Sequence, residues 1–317
     1  MNTVFIDGEA GTTGLHIRQR LAARSDVSLV AIDADKRKDA QARRDLLNSA
    51  DIAILCLPDE AAREAVAMID NPGTRVIDAS SAHRTAPDWV YGFAEMAPDQ
   101  AARIAEARFL ANPGCYPQGL IALVLPLVRA GIAPADMAVS YSAVSGYSGG
   151  GRKMIEAYEA AGAQANPFLP YGLTFSHKHL PEMTRYSGLS RDPLFQPAVG
   201  NYAQGMLGTV PVFFDELAKK VTGADLAACL AEYYGEDGFV TVAPFAPGEY
   251  AADLDPQALN GTNAMRLHVF ANDERGQALL VALYDNLGKG ASGAAVQNLN
   301  IMIGADQKIG LDIPIAA

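Results

Sequence analysis

From Val4 to Asp78 the chain alternates apolar, strand-like runs with helix-like runs. The first strand-to-helix junction carries glycines at Gly8, Gly11 and Gly14. Residues 4–7, 27–32, 52–57 and 75–78 read as strands, and residues 14–24, 39–49 and 60–69 as helices. Strands that are apolar throughout are covered on both faces, and regular strand–helix alternation implies a parallel sheet. A G-x-x-G-x-x-G turn lets the backbone approach a pyrophosphate, which then rests on a helix N-terminus. An ordinary glycine turn is the bland alternative. The βαβ context favours a dinucleotide, with Gly8, Gly11, Thr12, Thr13 and Gly14 as its contacts. Asp33 closes the second strand, where an acid suits a ribose 2′-hydroxyl and NAD. Lys36 and Arg37 follow at once and suit a 2′-phosphate, or simply a solvated loop. The residues alone leave that choice open.

The texture changes beyond residue 114. A helix is expected over residues 118–130, then strands over 138–144, 210–214, 265–271 and 277–284. The last two flank Asn272-Asp273-Glu274-Arg275-Gly276, a hairpin signal. The expected fold class is α/β: a parallel-sheet dinucleotide domain plus an α+β domain with much antiparallel pairing. A final helix is expected over 291–304, with apolar residues at helical spacing. A length of 317 residues fits about two domains. The net charge of −11 argues against a nucleic-acid partner, which calls for a basic face. No apolar run reaches the ~18 residues of a membrane span. No basic, apolar leader precedes the first strand. Three cysteines without paired or metal-type spacing fit a reducing, cytoplasmic setting.

The candidate nucleophile is Cys115, in Ala111-Asn112-Pro113-Gly114-Cys115-Tyr116-Pro117. It lies between a short apolar run and an apolar helix, on or near the first helical turn. Unpaired N–H groups and the helix dipole favour a thiolate there. Cys56 and Cys229 fall inside apolar runs and read as core. His177 and His179 would share a face if their segment is extended. Next to a thiolate they read as a general acid/base and its partner, with a metal pair as the alternative. Two glycine-rich turns, at 145–152 and 285–293, each precede a helix and offer N–H groups to an anion.

Segments 8–14, 91–96, 111–117, 145–152, 177–182 and 285–298, taken in order, closely resemble those of the N-acetyl-γ-glutamyl-phosphate reductases, in their shorter subtype. The resemblance spans nearly the whole chain. It implies a Rossmann-type NADP(H) domain over residues 1–113 and a catalytic, dimerising α+β domain over 114–285. The segment 286–317 would pack back on the first domain. The site implied comprises Cys115 as nucleophile and His177 and His179 as acid/base and neighbour. Ser80, Ser148, Gly149 and Asn286 are further cofactor contacts. Arg84, Asn112 and Arg152 are candidates for an acyl phosphate substrate. A homo-oligomer, dimer or tetramer, follows from the same resemblance. Rival readings are an aspartate-semialdehyde dehydrogenase, an N-acetyl-aminoadipyl-phosphate reductase, and a non-catalytic dinucleotide-binding regulator.

Overall fold

Short runs of β-branched and aliphatic residues, bounded by glycine, proline and acids, form the strands of a first sheet. The computed structural model describes residues 1–236, 238–247 and 254–311, which form two units. The first comprises residues 1–114 and 291–311. Its strands are β1 (Asn2–Asp7), β2 (Val27–Val30), β3 (Ile52–Leu55), β4 (Arg75–Asp78), β5 (Val90–Tyr91) and β6 (Phe109–Ala111). They pair in the order β2-β1-β3-β4-β6-β5, and every pairing is parallel. The helices are α1 (Thr12–Leu21), α2 (Ala40–Ser49), α3 (Asp59–Ala67) and α4 (Gln100–Glu106). Phe5, Ala53, Leu55 and Val76 pack with Leu47 and Ala65 into one core. The last helix, Gly293–Met302, is buried along its whole length and packs on α1, α4 and β4. Arg75 reaches its C-terminal end, where Nη1 donates to the Met302 carbonyl at 2.5 Å and favours the negative pole of the helix.

Two expected strands end early. β2 pairs only with β1, and their ladder ends at Val30 opposite Phe5. Asp33 therefore lies three residues beyond the strand, in the following loop. β3 ends at Leu55, and Cys56 follows it with its N–H donated to the Asp7 carbonyl at 2.8 Å. Strand order reverses direction at the neighbours β1 and β3. In open parallel sheets, ligands bind outside the carboxyl ends of the strands at such a point.

The second unit comprises residues 115–290. Its strands are β7 (Ser140–Gly146), β8 (Phe168–Pro170), β9 (Leu194–Gly200), β10 (Met206–Phe213), β11 (Val240–Val242), β12 (Met265–Asn272) and β13 (Gln277–Tyr284). They form one mixed sheet, β11-β12-β13-β10-β7-β9-β8. Only β7 with β9 and β11 with β12 pair in parallel. The expected hairpin is β12–β13, closed where Asn272 pairs with Gln277. The helices are α5 (Cys115–Arg129), α6 (Arg152–Ala161), α7 (Leu180–Ser187) and α8 (Gly223–Tyr234). Residues 116–127 of α5 are all buried, because the helix is enclosed by α7, α8, β10 and β13. A helix that is apolar all round belongs in such a place. Residues 286–290 group with this second unit, and residues 312–317 lie outside the described residues.

Candidate active site

In the first unit, Gly8 leaves β1 with φ +89. A side chain there would run into the Cys56 carbonyl at the end of β3, so only glycine lets the two strand ends meet. The Gly11 N–H donates to the Gly8 carbonyl at 3.0 Å and closes the turn. Gly11 is the N-cap of α1 and supplies no side-chain cap, and the first turn of α1 carries no acid. Its N–H groups and dipole are left to an anion. Gly8 and Gly11 thus bound the turn, and Thr12, Thr13 and Gly14 begin α1.

A cavity of about 360 Å³ lies beside this turn, lined by Gly8, Glu9, Ile32, Arg37, Lys38 and Arg43 among others. Glu9 is held by Arg18 at 2.9 Å and by Arg37 at 3.1 Å. Asp7 is held by Arg43 at 2.8 Å. Lys36 instead pairs with the exposed Asp33 at 3.2 Å, so the two residues that pull the cofactor choice in opposite directions partner each other. Lys38 and Arg43 are not among the expected contacts. The basic run points to Lys38, but Arg43 is brought in by the first turn of α2.

Ser80 follows β4. Its N–H and hydroxyl donate to the fully buried Asp78 carboxylate at 2.9 and 2.7 Å. His83 Nδ1 meets the same carboxylate at 2.6 Å while its ring stacks on Trp89. Arg84 is buried, with Nε donating to the Asn112 carbonyl at 3.0 Å and Nη2 to the Ala79 carbonyl at 3.1 Å. Asn112 donates from Nδ2 to the Ala291 carbonyl at 3.0 Å, and its Oδ1 accepts from Asn298 at 3.1 Å. Arg84 and Asn112, two of the three residues expected to hold substrate, are therefore engaged in bracing the loops at the end of the sheet. Local sequence shows no sign of this, because the partners lie up to 186 residues away.

In the second unit, Cys115 is the first residue of α5. Tyr116, next in the chain, donates to the Ala198 carbonyl at 3.0 Å. His177 and His179 both pack against the Tyr116 ring, with centroids 6.2 and 6.1 Å away, and meet each other at 4.7 Å. Their segment is not extended as expected. His179 is helical (φ −87, ψ −10) and caps α7, which has Pro181 in its first turn. The rings converge because the chain turns, not because alternate residues share a face. The His179 N–H donates to His177 Nδ1 at 3.2 Å. That bond places the neutral ring's proton on Nε2. His179 is buried and His177 partly exposed. Among the described residues, no group of three His, Cys, Asp or Glu side chains could hold a metal.

The other thiols differ from Cys115 in setting. Desolvation, with Asp78 and Asp7 nearby, pushes the Cys56 thiol up to about 12. Burial, then Glu232, raises that of Cys229. Neither is poised to be a thiolate at neutral pH.

The two glycine-rich turns meet in the second unit. Asn286 Nδ2 donates to Ser148 Oγ at 3.0 Å, and its Oδ1 accepts the Gly205 N–H at 2.9 Å. A Cβ on the adjacent Gly149 would lie 3.6 Å from the Asn286 amide nitrogen. Ser148, Gly149 and Asn286 are thus one cluster. Arg152 lies at the start of α6 and is exposed.

The fold and the matched domains are those of semialdehyde dehydrogenases. Residues 3–104 match the family model "Semialdehyde dehydrogenase, NAD binding domain", and residues 115–286 match "Semialdehyde dehydrogenase, dimerisation domain". Among solved structures, the aspartate semialdehyde dehydrogenase II of Vibrio cholerae superposes with a TM-score of 0.71 at 15% identity, covering 96% of this chain and 98% of that one. That of Francisella tularensis gives 0.71 at 16%, covering 96% and 100%. At these identities the likeness is one of fold. Closer relatives narrow the class. N-acetyl-gamma-glutamyl-phosphate reductases from Mesorhizobium japonicum (56% identical, covering 95% of this chain and 98% of the relative) and Chelativorans (57%, covering 95% and 97%) match nearly end to end. So does N-acetyl-gamma-glutamyl-phosphate reductase 2 of Pseudomonas putida, at 54% with 97% and 98% covered. The chain belongs to the N-acetyl-gamma-glutamyl-phosphate reductase family.

Proposed function

We propose that this chain reduces N-acetyl-γ-glutamyl phosphate to the corresponding semialdehyde with release of phosphate, through a thioester on Cys115, in arginine biosynthesis. The observation that carries this reading is Cys115 on the first turn of a buried helix, with a histidine pair packed on its neighbour. The cofactor is NADPH. The uncapped α1 N-terminus suits its pyrophosphate, with Gly8, Gly11, Thr12 and Thr13 around it. Arg37 and Lys38 in the adjoining cavity suit a 2′-phosphate. Ser80 on its Asp78 brace and the Ser148–Gly149–Asn286 cluster are further candidate contacts. Bound, the cofactor supplies the hydride.

The chain's own residues do the rest. The Cys115 thiolate attacks the acyl carbon, a C–S bond forms, and the C–O bond to phosphate breaks. N–H groups of the first turn of α5, where Pro117 contributes none, are the candidate donors to the developing oxyanion. After reduction of the thioester carbon, the carbonyl re-forms and Cys115 departs as thiolate. His177 handles the accompanying proton, since its ring is the more exposed and its Nδ1 is already tied to the backbone. Arg152, accessible and cationic, is a candidate for the substrate's anionic end. Arg84 and Asn112 act by holding the loops they brace.

The test is oxidation of a panel of acetylated and free semialdehydes with NADP and phosphate. N-acetyl-glutamate semialdehyde should be preferred, and NADP preferred to NAD. Arg37→Ala should raise KM for NADP far more than for NAD. Preference for aspartate semialdehyde or the N-acetyl-aminoadipyl analogue would move the enzyme to a sister activity. No turnover of any semialdehyde would favour a regulator.

The open face of the mixed sheet supports a homodimer. A cavity of about 400 Å³ there is lined by Phe168, Pro170, Leu173, Phe175 and Leu207 among others. Leu173 and Phe168 are 63% and 56% exposed, and apolar patches of this kind mark interfaces. The name of the matched domain points to a second copy as the occupant. Sedimentation should therefore give at least twice the 33.5 kDa chain mass, and Leu173→Glu should shift it toward one. A wild-type monomer would refute the dimer. Among the described residues no helix is long and apolar enough to cross a membrane. We take the enzyme to be cytoplasmic, in keeping with its three free cysteines.

A further inference from the structure

In a regular helix the first carbonyl accepts the N–H four residues on. For α5 that pair is the Cys115 carbonyl and the Gly119 N–H. The Tyr284 hydroxyl joins that pair from outside the helix. It donates to the Cys115 carbonyl at 2.6 Å, and the Gly119 N–H points at its oxygen. A second phenol works one residue along, where the Tyr141 hydroxyl donates to the Tyr116 carbonyl at 3.1 Å. Both tyrosines have 0% exposure.

The sequence of α5 is adapted to admit them. A Cβ on Gly119 would lie 2.6 Å from the Tyr141 hydroxyl and 2.7 Å from that of Tyr284. Glycine inside a helix costs about 1 kcal/mol relative to alanine. Here it makes room for two hydroxyls. Burial raises both phenols far above their ordinary range, so they stay protonated and donate at any working pH. On its other side Cys115 is confined by Gly290, where a Cβ would come within 3.0 Å of the cysteine Cβ.

We propose that Tyr284 is a positioning residue for the nucleophile: its hydroxyl, bonded to the first carbonyl of α5, sets the direction of the Cys115 side chain and of the N–H groups beside it. Tyr141 assists from the next carbonyl. The inference rests on Cys115 being the nucleophile, as proposed above. Without the hydroxyl, the Cys115 carbonyl keeps only its bond within the helix. The start of α5 is then held less firmly, and the thiol drifts off its line of attack.

Tyr284→Phe keeps the ring and removes the hydroxyl. It should lower kcat roughly 10- to 100-fold, the range a displacement of about 1 Å can produce. KM for semialdehyde and for NADP should stay within about twofold of wild type. The rate of Cys115 alkylation by iodoacetamide, followed against pH by intact mass, should shift its midpoint upward. Tyr141→Phe should give the same pattern, weaker. An unchanged kcat and alkylation profile in folded Tyr284→Phe overturns the proposal. So does a loss confined to KM or to thermal stability. Should Tyr284→Phe not fold, Gly119→Ala, which displaces both hydroxyls, takes its place: a fall in kcat with an upward alkylation shift supports the proposal, and unchanged values overturn it. Wild-type protein inactive on every semialdehyde would instead sink the functional reading. The alkylation profile does not depend on turnover, so the two failures are distinguishable.

Discussion

Cys115→Ser should abolish reductase and dehydrogenase activity while leaving the fold and NADPH binding in place. Serine fits the first position of α5, and the glycine turn at Gly8–Gly14 belongs to the other unit of the chain. A hydroxyl is a far poorer nucleophile than a thiolate at neutral pH, so turnover should fall below roughly 10⁻³ of wild type. Wild-type enzyme given semialdehyde and NADP without phosphate should accumulate a thioester, visible by intact mass and mapped to Cys115. The same residue should be alkylated first near neutral pH. Cys56, pushed up to about 12 by burial beside Asp78 and Asp7, is almost entirely protonated there, and Cys229 is raised as well. Substantial turnover by Cys115→Ser, or an adduct on Cys56 or Cys229, would end the covalent mechanism.

The second large effect belongs to His177. Its replacement by alanine should cost about 10²–10⁴ in kcat, the usual contribution of a positioned acid/base. The loss should not be restored by raising substrate. His179→Ala should behave differently. This ring is buried at the start of α7, so its removal should destabilise the protein by about 1–3 kcal/mol and affect turnover less. Melting temperatures and steady-state kinetics of the two variants separate the roles. Near-normal kcat in His177→Ala would remove that ring from the mechanism. A deeper kcat loss in His179→Ala would exchange the assignments.

How far these sites are legible in the sequence follows from how local their causes are. The glycine turn is readable because Gly8 needs a positive φ and sits between an apolar strand and a helix. Cys115 is readable because the apolar run after it is a helix wherever it packs, and the residue before that run must lie near its first turn. The histidine pair is legible only as a pair. Its spacing suggests an extended segment with a shared face, and a turn into α7 brings the rings together instead. Arg84 and Asn112 resemble substrate contacts in sequence. The structure engages them with carbonyls and an amide that no local pattern could supply. Tyr284 carries no local signal, although it stands next to Asp285 and Asn286 in a glycine-rich motif. Its partner carbonyl is 169 residues away in the chain.

By itself, then, the sequence determined the parallel dinucleotide sheet, the β12–β13 hairpin, the anion-ready turn before α1 and the cysteine at a helix start. Each of these follows from hydrophobic periodicity, turn chemistry or helix termini acting over a few residues. Only the tertiary structure decided what braces them: the Asn112 carbonyl that holds Arg84, the Asn298 amide that holds Asn112, and the phenols bonded to the first carbonyls of α5. Hydrogen bonds between distant residues depend on which elements meet and in what register. Burial then makes each such bond costly to leave unmade, so these bonds are specified by packing rather than by local pattern.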